Sequence, residues 1–290
     1  MEKDKIKIYL PGLWTKGNLN RAIIFEFQNK REYFYDDITI GGVYGSFPNC
    51  IWNGGRVITG GCDNNDMHNV VEYYKKNNIP MRFTFTNCLL EEKHLQDTYS
   101  NLIMDIANNG NNEVLVNSTL LEEYIRKNWP NYKIISSTTK CLVDIEKFNE
   151  ELSKDYYMVV LDYRKNFDND FITNIDENNK NKVEILLNAY CSPNCGKRSA
   201  HYEYLSKCQL MYIGNTECFC NDLKLDFLDC LENENTLNIN DMFNFHNHGF
   251  NNFKIEGRTN NIYDVLESYV YYMVKPYYKD RVRLDLLKML

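Results

Sequence analysis

The sequence predicts an α/β protein: one (β/α)8 barrel of TIM type over residues 1–290, with a cysteine-rich insertion at 191–250 between the seventh and eighth strands. Two observations carry the prediction. Eight short segments are apolar at nearly every position rather than at every second one, the pattern of parallel strands covered on both faces. Each is separated from the next by helical segments, and eight βα units in 290 residues match a closed barrel. A third observation disfavours the open doubly wound alternative. No Gly-x-Gly-x-x-Gly follows the first strand, so its dinucleotide-binding form lacks the phosphate loop.

In chain order, Lys5–Leu10 is a strand closed by Pro11-Gly12, and Asn18–Phe34 is helical by spacing. Ile38–Tyr44 is the second strand, with Gly41-Gly42 inside it, and Asp66–Asn78 the next helix. Met81–Phe85 precedes a helical stretch at Glu91–Ala107. Glu113–Val116 leads to Thr119–Lys127, with Ser118 as N-cap and Glu122 and Glu123 in the first turn, where carboxylates favour the helix dipole. Lys133–Ile135 is followed by Ile145–Leu152, and Tyr157–Leu161 by a short helix near Phe171–Asp176. Val183–Ala189 and Phe253–Glu256 are the last strands, and Tyr263–Val274 is a closing helix.

Composition bounds the function. Hydrophobic content of 43% with 14% aromatics supplies a core, and 25% charged residues is ordinary for a globular protein. A net charge of −7 argues against a surface built broadly for phosphate backbones and leaves room for a local basic pocket. The charged start, Met1-Glu-Lys-Asp-Lys, does not read as a signal peptide, and no apolar run reaches the ~20 residues that span a bilayer. The expected location is therefore cytoplasmic, with no membrane partner. In that reducing compartment ten cysteines read as metal ligands or redox groups before they read as disulfides.

Active residues of such barrels sit at the C-terminal ends of strands. Those ends carry Tyr44, Asn87 with Cys88, Asn117, Ser137 with Thr138, Asp162 with Arg164, Asn188 with Cys191, and Glu256 with Arg258. Each alone reads as a turn residue or helix cap; together they describe a polar pocket. On the last strand Phe253 and Ile255 share one face and Lys254, Glu256 and Arg258 the other. Buried charges need partners, so either Lys254 and Glu256 satisfy each other inside the barrel, or Glu256 and Arg258 meet a polar or anionic substrate.

Six of the ten cysteines fall between Cys191 and Cys230. Cys191-x-x-x-Cys195 presents two thiols from one loop, and Cys218-x-Cys220 adds more from the insertion. Thiolates are the usual iron–sulfur ligands, and zinc accepts the same donors, here with His201. Cys208 and Cys50 are reserve ligands; Cys62, Cys88, Cys141 and Cys230 read as ordinary thiols. Arg198 and His201 share a face if Lys197–Leu205 is helical. His246 and His248, two histidines near a turn, read as solvated. Gly-x-Ser-x-Gly is absent, which weakens a serine hydrolase; His-Glu-x-x-His and the P-loop are absent too, which leaves a zincin without its ligand pair and sets a P-loop nucleotide hydrolase aside. A cysteine protease could be drawn from Cys191 or Cys195 with His201, but the further close cysteines favour metal.

Phe253-Lys-Ile-Glu-Gly-Arg258 on a final barrel strand resembles the U32 peptidase family, the collagenase-like peptidases. Asn188-Ala-Tyr-Cys191-x-x-x-Cys195-x-x-Arg198-x-x-His201-Tyr202 and the early Val43-Tyr44-Gly45 with Cys50 extend the resemblance. It implies a barrel with a four-iron four-sulfur cluster on cysteines, here Cys191, Cys195, Cys218 and Cys220. It implies oxygen-independent hydroxylation of tRNA or rRNA bases or of the ubiquinone ring, or, by the family label, peptide hydrolysis. A subunit whose cluster is structural and which binds RNA or a partner enzyme is the remaining reading. Expected roles are catalytic for Glu256, Arg258 and Asp162, and substrate-binding for Asn87, Asn117, Asn188, Arg198 and His201. The chain departs from the family pattern in its order of arginine and cysteine, and in lacking a cysteine at Thr236–Asp241, where many members place the fourth ligand.

Overall fold

The computed structural model describes residues 4–214, 226–257 and 261–290. Eight parallel strands close in sequence order as a barrel. They are β1 (Ile6–Pro11), β2 (Ile38–Gly45), β3 (Met81–Phe85), β4 (Glu113–Val116), β5 (Lys133–Ser136), β6 (Met158–Val160), β7 (Val183–Leu186) and β8 (Asn252–Lys254). Helices alternate with them: α1 (Gly17–Asn29), α2 (Asn64–Lys76), α3 (Thr98–Ile106), α4 (Thr119–Asn128), α5 (Ile145–Ser153) and α6 (Asn169–Thr173). Between β7 and β8 come α7 (Arg198–Leu210), α8 (Phe227–Leu231) and α9 (Ile239–Asn247), and α10 (Ile262–Met273) and α11 (Lys279–Met289) close the chain. Every residue of β4, β6, β7 and β8 is buried, as strands covered on both faces must be.

Short polar side chains cap successive helices. Asp63, Asp97, Ser118, Asp144 and Asp168 each accept a backbone N–H at the start of α2 to α6. Asp97 also corrects the helix expected over Glu91–Ala107. It caps α3 at Thr98 and leaves a 3-10 turn, Glu92–Gln96, ahead of it. α11 was not expected: Val282 and Leu286 are its buried apolar anchors, while Leu284 and Leu287 face water and blur the stripe.

The described residues form two compact units, one within Met1–Gly41, Leu161–Asn194 and Asp222–Leu290, the other within Gly42–Val160 and Cys195–Asn221. In the first, β8 pairs with β1 and β7, so Phe253 lies opposite Ile8 and Ile185. In the second, β2 to β6 pair in order, and Trp52 packs edge-on against Phe85, Tyr124 and Trp129. Arg82 on β3 and Glu113 on β4 form an ion pair of 2.7 Å, both fully buried, and Arg82 also reaches the sulfur of Met158 on β6 at 3.5 Å.

A second carboxylate in that unit couples stability to pH. Burial pushes the Glu151 carboxyl up, but hydrogen bonds from Lys140 (2.6 Å), Lys154 (2.8 Å) and Ser136 (2.5 Å) outweigh it and hold it at about 2. A carboxyl held below its unfolded value stabilises fully above that value, 4.5, and the contribution disappears as pH falls toward about 2. Glu151→Gln is expected to flatten the acid limb of urea-unfolding stability across this window, and superimposable acid limbs would contradict the assignment.

Candidate functional site

In the first unit, the Leu187 N–H still donates to the Lys254 carbonyl of β8 (2.9 Å), and from there the peptides leaving β7 pass to side chains and loops. The Leu187 carbonyl accepts from the Leu237 N–H (2.7 Å) and the Tyr272 hydroxyl (3.2 Å), and the Ala189 N–H donates to Thr236 Oγ1 (3.0 Å). Asn233 Nδ2 donates to the carbonyls of both Ala189 and Cys191, at 2.8 and 2.7 Å. This bracing ends β7 at Leu186 instead of Ala189.

Asn188 sits at the centre of the braced segment. Its Nδ2 donates to the Glu256 carbonyl (3.1 Å), and its Oδ1 accepts the Glu256 N–H (2.6 Å). One side-chain amide thus replaces a rung of backbone pairing, and β8 stops at Lys254. Glu256 Oε2 in turn accepts the Tyr190 N–H at 3.2 Å. Gly257 follows because a Cβ there would lie 2.5 Å from Pro11 Cβ. On the last strand, Lys254 also has a carboxylate partner outside its own strand. Lys254 pairs with buried Glu184 on β7, at 3.8 Å. That leaves Glu256 half-buried, its carboxylate turned to the β7 exit.

Asp162 is buried just past β6, and its carboxylate accepts from the Arg164 side chain at 2.9 and 3.0 Å and from the Arg164 N–H at 3.1 Å. It caps the 3-10 turn that follows, so its charge is matched locally. Tyr163 donates to the Ser192 carbonyl at 2.9 Å, bringing this turn against the loop after Cys191.

In the second unit, Asn87 gives Nδ2 to the carbonyls of Ile51 (2.8 Å) and Ser206 (3.2 Å) and takes the Leu89 N–H on Oδ1 (3.0 Å). Asn117 donates to Thr139 Oγ1 at 2.8 Å. Arg198 is the first residue of α7 and buried; its guanidinium donates to Thr138 Oγ1 (3.2 Å) and to the hydroxyl of Tyr202 (2.9 Å), one helical turn on. His201 stacks on the same tyrosine ring at 6.2 Å. The expected shared face of Arg198 and His201 is thus present, gathered around Tyr202.

A model of peptidase family U32 matches residues 32–283. The chain belongs to the U32 peptidase family. A solved structure titled "The Structure of the U32 Peptidase Mk0906" superimposes over 89% of this chain and 96% of its own, with a TM-score of 0.58 and 11% sequence identity. At that identity the likeness concerns the fold alone. No curated protein matches the sequence.

Within this U32 chain the thiols sort by environment. Cys191 is buried and Cys195 half-buried, four residues apart after β7. Burial pushes Cys50 up to about 11 and Cys230 up to about 12, and their sulfurs lie 3.3 Å from Ser100 Oγ and 3.6 Å from Thr236 Oγ1. Without a bound metal both are protonated thiols at neutral pH. Cys208 is buried within α7. Among the described residues no three His, Cys, Asp or Glu side chains gather to hold a metal. The loop from Cys191 to Cys195 carries two thiols, and Cys218, Cys220 and Arg258, expected at the site, lie outside the described residues. His246 is buried and bonded through Nδ1 to Asn251 at 2.7 Å, contrary to the solvated expectation, whereas His248 is exposed. Among the described residues no helix is long and apolar enough to cross a membrane.

The sequence reading missed Asn233, Thr236 and Tyr272 as the residues that shape the β7 exit. Asn233-x-Asn235-Thr236 is visible only as a turn-rich string, and its partners are 42 to 47 residues away.

Proposed function

We propose that this U32 chain is an iron–sulfur modification enzyme, carrying out oxygen-independent hydroxylation on an RNA base or a small aromatic substrate. Family membership and one local feature support the reading: the Cys191-x-x-x-Cys195 loop leaves β7 directly beside the Asn188–Glu256 clamp. Cys191 and Cys195 would hold a four-iron four-sulfur cluster, with Cys218 and Cys220 completing the thiolate set. When bound, the cluster supplies one-electron transfer. Asn233 fixes the Cys191 carbonyl and thereby the direction in which this loop starts. Glu256, held by the Tyr190 N–H, is the proton-transferring group, and Arg258 two residues on is the anion-binding one. Asp162, matched by Arg164, positions the turn after β6 rather than moving a proton. The zinc alternative uses the same thiols, and the peptidase reading requires an activated nucleophile, a role for which Cys50, Cys62 and Cys230 are unsuited because burial raises each thiol to about 11 or 12.

Anaerobic purification followed by iron and acid-labile sulfide analysis tests the reading. About four of each per chain is expected. Cys191→Ser and Cys195→Ser should each lose most of the iron, and Cys62→Ser should keep it. Zinc without sulfide would establish the alternative metal, and protein without either would end the cluster reading. Nucleosides from RNA of a strain lacking the protein should then show one species lighter by a single oxygen; unchanged RNA together with cleavage of gelatin would favour the peptidase.

A further inference from the structure

We propose that the groove formed by α8, α10 and α11 binds a small organic carboxylate with a flat apolar body. The groove encloses about 530 Å³, within the range of small-molecule sites. Its walls are Leu231, Val270 and the rings of Phe227 and Tyr271, which meet edge-on at 5.6 Å. Leu228 and Tyr263 at its rim are 73% and 57% exposed, an apolar entrance left in water.

The charges in the groove decide which ligand fits. Arg283 forks onto Glu267 at 2.5 and 2.8 Å and also meets Asp280, so that cation is matched. Lys279 is different. Among the described residues it makes no ion pair, and its half-buried ammonium lies 4.7 Å from the centre of the Tyr271 ring. Burial lowers its pKa, Arg283 adds to the effect and Glu267 opposes it, the signature of a cation short of counter-charge. It is also the first residue of α11, which carries no side-chain cap, so the positive end of that helix lies behind it. The groove's aspartates lie toward α8: Asp226 accepts the Asp229 N–H (2.9 Å) and Asp264 the Phe227 N–H (3.2 Å). Asp264 and Tyr271 are seven residues apart on α10, roughly 10 Å along its axis. An anionic group at Lys279 therefore sits away from them, with aromatic and aliphatic walls for the body of the ligand. One lysine suits a monoanionic carboxylate; a phosphate would call for further donors or an unmatched arginine.

Calorimetric titration of the full chain with 2-naphthoate and its neutral isostere 2-naphthamide tests this. Saturable one-to-one binding of naphthoate is expected, with Lys279→Met weakening it at least tenfold while leaving naphthamide affinity unchanged. Leu231→Trp, which fills the cavity from a partly exposed position, should abolish both, and Lys288→Met on the exposed side of α11 should alter neither. Absence of saturable naphthoate binding at millimolar concentration, or a Lys279→Met variant that binds naphthoate normally or loses both ligands equally, overturns the proposal. Thermal unfolding of each variant confirms that the fold is retained. The test is independent of the iron–sulfur reading, since it needs neither metal nor catalysis.

Discussion

Glu113→Ala is expected to cost about 3–5 kcal/mol, the range for removing one partner of a buried ion pair. The Arg82 guanidinium would then remain at 0% exposure without its Glu113 partner. For a chain of this size the melting temperature should fall by roughly 10 °C. The double replacement Arg82→Met with Glu113→Leu removes both charges and keeps apolar volume beside Met158, so it should recover most of the loss. The four corners of that cycle, followed by urea unfolding, isolate the pairwise coupling. If the single variant loses less than about 1 kcal/mol, the pair is not the buried contact described.

Gly54→Ala is expected to be nearly as damaging, for a steric rather than an electrostatic reason. A Cβ on Gly54 would overlap the Thr86 carbonyl and lie 2.5 Å from the Asn87 nitrogen. These are backbone atoms at the exit of β3, held by Gly54 N–H to the Thr84 carbonyl (3.2 Å) and Asn87 N–H to the Trp52 carbonyl (3.1 Å). The two segments must separate, and the hydrogen bonds of Asn87 to Ile51 and Ser206 are strained with them. A loss of about 3 kcal/mol is the scale of such overpacking. Gly61→Ala, with no heavy atom within 4 Å of the added carbon, should stay within about 0.5 kcal/mol of the parent. Equal melting curves for the two variants would refute the close approach.

Strand existence and order were legible because burial on both faces demands unbroken apolar runs, and β3 and β4 begin and end where the sequence places them. Ser118 was legible as a cap for a similar reason: a hydroxyl before a helical stretch has one local partner, here the Leu121 N–H. Strand ends were less so. The apolar run Val183–Ala189 continues past Leu186, and only partners far along the chain reveal that the Leu187 carbonyl and the Ala189 N–H bond to the Thr236–Leu237 loop while the Leu187 N–H still reaches β8. Asn87, Asn117 and Asn188 read as pocket residues from their positions, yet each spends its amide on a neighbouring backbone or hydroxyl group.

By itself the amino-acid sequence determined the barrel class, the strand order, the family through its Phe253–Arg258 and Asn188–Tyr202 motifs, and the concentration of thiols after β7. These are local or periodic properties, written into residue type and spacing. Only the tertiary structure decided that Lys254 pairs with Glu184, that Asn188 clamps the Glu256 peptide, and that Lys279, with no ion pair among the described residues, lies against Tyr271 in a groove. Pairing of charges and amides depends on which atoms come within about 3–4 Å, and contacts between residues far apart in the chain are set by packing rather than by any pattern along it.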